Sequence, residues 1–181
     1  MNTAIAIGQG LGLATAAGLL AAGPLAAGST AAGQGWLEDP LSFFHRTAVI
    51  AAMWALLVVE LVVDAVWPGA QAGARLGRRV VAGALAFELG AGNALPWAGL
   101  AIGAGVAALA GLVLRHIRSG AVKAGGDVRG TALVEDAGGL GVSVLAIIPF
   151  VGYVLAVAAS GLFLRLRRRE ARKYEGLRVL R

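Results

Sequence analysis

Uncharged apolar stretches alternate along the chain with short polar or basic interruptions, and the apolar stretches have the length of helices rather than strands. From Asn2 to Leu37 no residue is charged. As one straight helix this stretch would be roughly 50 Å long, against a hydrocarbon core of about 30 Å, so it must tilt, break or fold back. Gly23-Pro24 is the natural break, because proline lacks an amide donor and clashes with the preceding turn. The reading is one helix over Thr3–Ala22 and a shorter, returning or re-entrant piece over Leu25–Gln34. A polar connection runs from Glu38-Asp39-Pro40 to His45-Arg46. The best single span follows over Thr47–Trp67, with the bulky Met53, Trp54, Leu56 and Leu57, and Pro68-Gly69 ends it. Gln71–Arg79 is a short basic stretch, Val80–Gly92 an apolar piece too short to span comfortably, and Asn93-Ala94-Leu95-Pro96 a turn. Trp97–Leu114 is a clear span closed by Arg115-His116-Ile117-Arg118, and Ser119–Gly130 a basic, glycine-rich loop. The last apolar region, Thr131–Leu164, is again over-long, and Pro149 is its break. The fold class is therefore all-α, a helical bundle of about five or six membrane segments with broken elements near both ends.

Composition agrees with that solvent. Of the 181 residues, 58% are apolar and 14% charged, and the mean hydropathy is +0.77. Too few polar side chains remain to cover a water-soluble domain of this size. Disorder is excluded by the hydrophobicity, and a disulfide scaffold or cysteine-ligated metal site by the absence of cysteine.

Charge adds orientation. The net charge is +6, and much of it lies in a basic tail, residues 165–181, behind a single transmembrane domain at 1–164. The tail follows an apolar run, as a cytoplasmic stop does. Arg165, Arg167, Arg168 and Arg169 are expected to meet anionic lipid headgroups, and nucleic acid is not expected as a partner. The Arg75–Arg79 stretch, the Arg115–Arg129 loop and the tail should all face the cytoplasm, which implies a multi-pass protein of the cell inner membrane with a cytoplasmic C-terminus. Met1–Ala4 has no positive n-region, so the start does not read as a signal peptide. Trp36, Trp67 and Trp97 fall at segment ends, as an aromatic belt would place them, and Trp54 reads as packing.

The chain has 28 glycines. Gly8 and Gly12, and Gly99 and Gly103, are one turn apart, a spacing that lets helices approach closely. Gly8-Gln9-Gly10-Leu11-Gly12 superficially matches a dinucleotide fingerprint, but no strand precedes it. Gly138-Gly139-Leu140-Gly141 invites a second reading, the smooth wall of a narrow pore. His45 and His116 sit beside arginines at segment ends, and no catalytic triad or HExxH arrangement appears, so an enzyme is not expected. No motif fixes a cofactor or a metal.

Acids within the apolar segments carry the functional signal, because charge at membrane depth is costly. Glu60 and Asp64 lie at i and i+4, on one helix face. Glu88 precedes the Asn93 turn, and Glu135 and Asp136 open the last region. Such carboxylates could hold a cation or share a proton, with carbonyls at the breaks of Pro24, Pro96 and Pro149 completing a site. The competing reading is ion pairing with Arg75, Arg78, Arg79, Arg115 or Arg118, which would pin helices together. A broken element at each end also raises the prospect of a pseudo-repeat.

The motifs, taken in order, resemble a bacterial membrane family, the domain-of-unknown-function family 4126. Gly10-Leu11-Gly12-Leu13-Ala14-Thr15-Ala16-Ala17-Gly18-Leu19 with Pro24-Leu25 looks like its opening, and Glu60-Leu61-Val62-Val63-Asp64 with Pro68 like its acidic helix end. Arg79-Val80-Val81-Ala82-Gly83-Ala84-Leu85 and Glu135-Asp136 follow. Where the resemblance implies arginine and lysine, this chain has Leu20 and Ala65. The resemblance supports the fold and implies no activity. Two functions follow from the residues: an ion, proton or small-solute transporter or channel using the five acids, or a noncatalytic structural or accessory subunit, with lipid or quinone binding a third. As a subunit or a homo-oligomer the chain would pack through its glycine-rich faces.

Overall fold

The computed structural model describes residues 2–38, 40–66 and 72–178. Asp39, Trp67, Pro68, Gly69, Gln71 and Arg181 lie outside the described residues, as do the side chains of Arg172, Lys173 and Arg178. Among the described residues there are seven α-helices and no strand: α1 (Thr3–Ala17), α2 (Ala22–Gly33), α3 (Thr47–Val66), α4 (Ala72–Ala91), α5 (Ala98–Lys123), α6 (Val128–Leu145) and α7 (Pro149–Arg178). A 3₁₀ turn at Ser42–His45 precedes α3.

Among the described residues three helices are long and apolar enough to cross a membrane: α3, α5 and the Pro149–Ala171 part of α7. Their apolar side chains point outward. On α3, Leu56, Val58, Val59, Val62 and Val66 are exposed, whereas Glu60 and Asp64 on the same helix are buried. Water would select the reverse pattern; a bilayer selects this one.

The core is built on α1, which packs against α2, α4, α5, α6 and α7. Its small residues permit this. A Cβ added at Gly12 would come 2.6 Å from the Ala146 carbonyl oxygen and 2.9 Å from the Gly152 Cα, so α1 meets the α6–α7 junction backbone to backbone. Gly83 of α4 and Gly103 of α5 face each other in the same way.

Several boundaries differ from the sequence reading. The first break lies at residues 18–21, ahead of Pro24, which sits inside the first turn of α2. Proline clashes with the carbonyl four residues before it, so the chain breaks upstream and proline opens the next helix. Pro149 likewise begins α7. The basic stretch before Val80 is helical, giving α4 twenty residues. Its arginines fall at i, i+3 and i+4, one helix face. On α5 the helix continues through Arg115 and Arg118 to Lys123, leaving only residues 124–127 of the expected Ser119–Gly130 loop. Helix α7 runs past Leu164, so the basic tail begins as a helical extension. Pro96 lies in the turn before α5, next to Trp97, which has φ +66°. Trp54 is on the outer face of α3, and its Nε1 donates to Thr30 Oγ1 at 3.0 Å, so it packs α3 against α2 from the outside.

Candidate functional site

Helices α1, α3 and α5 end, and α2, α4 and α6 begin, at one end of the bundle. Most of the charged residues of the helices collect there, Glu88 being an exception. Glu60 accepts hydrogen bonds from the backbone N–H groups of Ala21 at 3.2 Å and Ala22 at 2.6 Å. It thus caps α2 from a neighbouring helix, filling the place of the side-chain N-cap that α2 lacks. The same carboxylate meets Arg78 at 2.9 Å, and Asp64 meets Arg75 at 3.0 Å and Arg78 at 3.7 Å. Glu135 of α6 lies between Arg79 at 2.8 Å and Arg118 at 3.3 Å. Four of the five expected acids are therefore at this end, and three of them are held by arginines from α4 and α5.

Asp136 is different. It is 8% exposed, and among the described residues no ion pair or hydrogen bond reaches its carboxylate. It lines a cavity of about 90 Å³ with Asp64, Ala65, Arg129, Ala132 and Leu133. The charges that act on it are those of Asp64, Glu135, Glu60 and Arg79. Arg79 also has a buried Nε without a partner, so an unused donor and an unused carboxylate belong to one electrostatic neighbourhood. The volume holds about three waters at about 30 Å³ each. Ala65, where the family resemblance implies lysine, is part of the wall.

Glu88 is remote from this network, near the far end of α4. Its Oε1 has no hydrogen-bond partner, and it is packed against Gly92 and Gly99. Gly138 and Gly141 are exposed on α6, with nothing near a Cβ added at either, whereas Gly139 packs on Leu20.

A family described as a domain of unknown function (DUF4126) matches residues 7–169. The chain belongs to this family. No curated protein and no solved structure matches it. In this DUF4126 chain the residues quoted for the resemblance divide between two tasks: the glycines of the opening segment pack α1, and Glu60, Asp64, Arg79, Glu135 and Asp136 form the charged end.

Gln9 escapes the sequence reading, because it sits inside the dismissed glycine motif. Its side-chain N–H groups donate to the carbonyls of Trp36 and Ile147, each at 3.0 Å, and its oxygen accepts from Glu38 N–H at 3.0 Å. The signal available was a lone amide in an otherwise apolar helix. Each helix break is thus served by one side chain: Glu60 accepts from the first, and Gln9 donates to the second. His116 lies 3.7 Å from Glu170, which joins α5 to the extension of α7. Among the described residues no three metal-ligating side chains come together.

Proposed function

We propose that this is a multi-pass protein of the cell inner membrane that moves protons, with Asp136 as the exchanging carboxylate. The observation that carries the reading is the buried, unpaired Asp136 at its small cavity. Protonating Asp136 breaks no ion pair, whereas protonating Glu60, Asp64 or Glu135 would break one or two. At about 90 Å³ the cavity is below the range of about 300–1,000 Å³ usual for organic ligands, which favours protons over the small-solute alternative. The arginine-held acids supply a rigid frame around the one that is free to change charge. Helices α3, α5 and α7 cross the bilayer in this reading, α1 and α2 fill the interior, and α4 and α6 pack beside them with one face exposed. The basic end of α5 and the α7 extension, joined through His116 and Glu170, lie on the cytoplasmic side.

The test is proton flux into proteoliposomes carrying a pH-sensitive dye, driven by a potassium diffusion potential. Asp136→Asn should fold as the parent does and lose the flux, and Asp136→Glu should keep part of it. Undiminished flux through Asp136→Asn overturns the assignment. A second reading, a noncatalytic structural subunit, is favoured by the arginine pairing of Glu60, Asp64 and Glu135. Under it the parent protein gives no more flux than empty liposomes.

A further inference from the structure

The extension of α7 carries a second site. Gly161, Leu164, Arg165, Arg168 and Arg169 line a groove of about 420 Å³. They follow one another at i, i+3, i+4, i+7 and i+8, so they share one helix face. Along that face the lining changes within one turn from apolar, at Gly161 and Leu164, to three guanidinium groups. Nothing lies within 4 Å of a Cβ built on Gly161, so the apolar end is open. Among the described residues no ion pair engages Arg165, Arg168 or Arg169. The adjacent acid, Glu170, is drawn toward His116 of α5, at 3.7 Å.

We infer that this groove binds one anionic phospholipid, its phosphate held by Arg165, Arg168 and Arg169 and its upper acyl chain lying over Leu164 and Gly161. A guanidinium presents paired N–H donors that match phosphate oxygens. The polarity change along the face matches the headgroup–acyl boundary of a lipid. A free phosphate ion would match only the arginine half. The inference rests on the membrane setting of α7 and is independent of Asp136.

The test uses the full chain in phosphatidylcholine nanodiscs with and without phosphatidylglycerol, released into detergent and weighed by native mass spectrometry. The parent should retain one phosphatidylglycerol. Arg165→Gln with Arg168→Gln should weaken retention about 30-fold, from about 1 kcal/mol per basic residue near an anionic surface. Arg115→Gln with Lys123→Gln makes the same charge change away from the groove and should retain the lipid. Gly161→Phe fills the open end without changing charge and should also reduce retention. Equal loss in both double variants, or full retention by Gly161→Phe, overturns the groove in favour of general attraction to a charged surface. Displacement of the lipid by inorganic phosphate overturns the lipid assignment.

Discussion

Glu60 and Glu88 are both buried carboxylates, and they lie toward opposite ends of the bundle. Glu60 receives two backbone N–H groups and an arginine. Glu88 has a backbone hydrogen bond at Leu100 and one oxygen with no partner at all. Burial is nearly the same, at 4% and 8% exposure, so burial does not separate them. The partner set does. An acid already matched by cations and amides is part of the frame, and its loss strands the groups it served. An acid without a cation can change charge or be replaced with little consequence for its neighbours.

The largest effect should come from Glu60→Leu. It leaves Arg78 without its closest acid and the first turn of α2 without an acceptor. Breaking one side of a buried pair costs about 3–5 kcal/mol, read by equilibrium unfolding in mixed micelles. A cost no greater than that of the same change at Glu88 would break the comparison. A double-mutant cycle between Arg79→Met and Glu135→Leu should give a coupling of about 0.5–3 kcal/mol. Coupling near zero would mean that Arg118 alone holds Glu135. Glu88→Gln should be the mildest, changing stability by less than about 1 kcal/mol in the same unfolding measurement, since no ion pair is lost. A loss as large as that of Glu60→Leu would show that the far end depends on its carboxylate as the charged end does.

Much of the helical plan is legible in the sequence, because apolar length and proline are local signals. The helix expected over Thr47–Trp67 and the break at Pro149 follow from them directly. The ends of α4 and α5 do not. Their arginines interrupt the apolar pattern while the helices continue, since Arg75, Arg78, Arg79 and Arg118 each find an acid on another helix. Arg79 and Glu135 are 56 positions apart, and nothing local announces that partnership. Asp136 shows the same limit in reverse. Its neighbour Glu135 is identical to it in hydropathic terms, and the turn of α6 between them sends one to two arginines and the other to a cavity. Gln9 was hidden by glycines whose spacing had already accounted for the segment.

The capping of α2 by Glu60 also sets an order of assembly. Ala22 and Glu60 are 38 positions apart. At about 5–20 residues per second, the first turn of α2 waits about 2–8 s during synthesis for its acceptor, and longer for Arg78 to complete the pair. The α1–α2 unit therefore enters its environment with an unfinished joint, and the third helix is the piece that closes it.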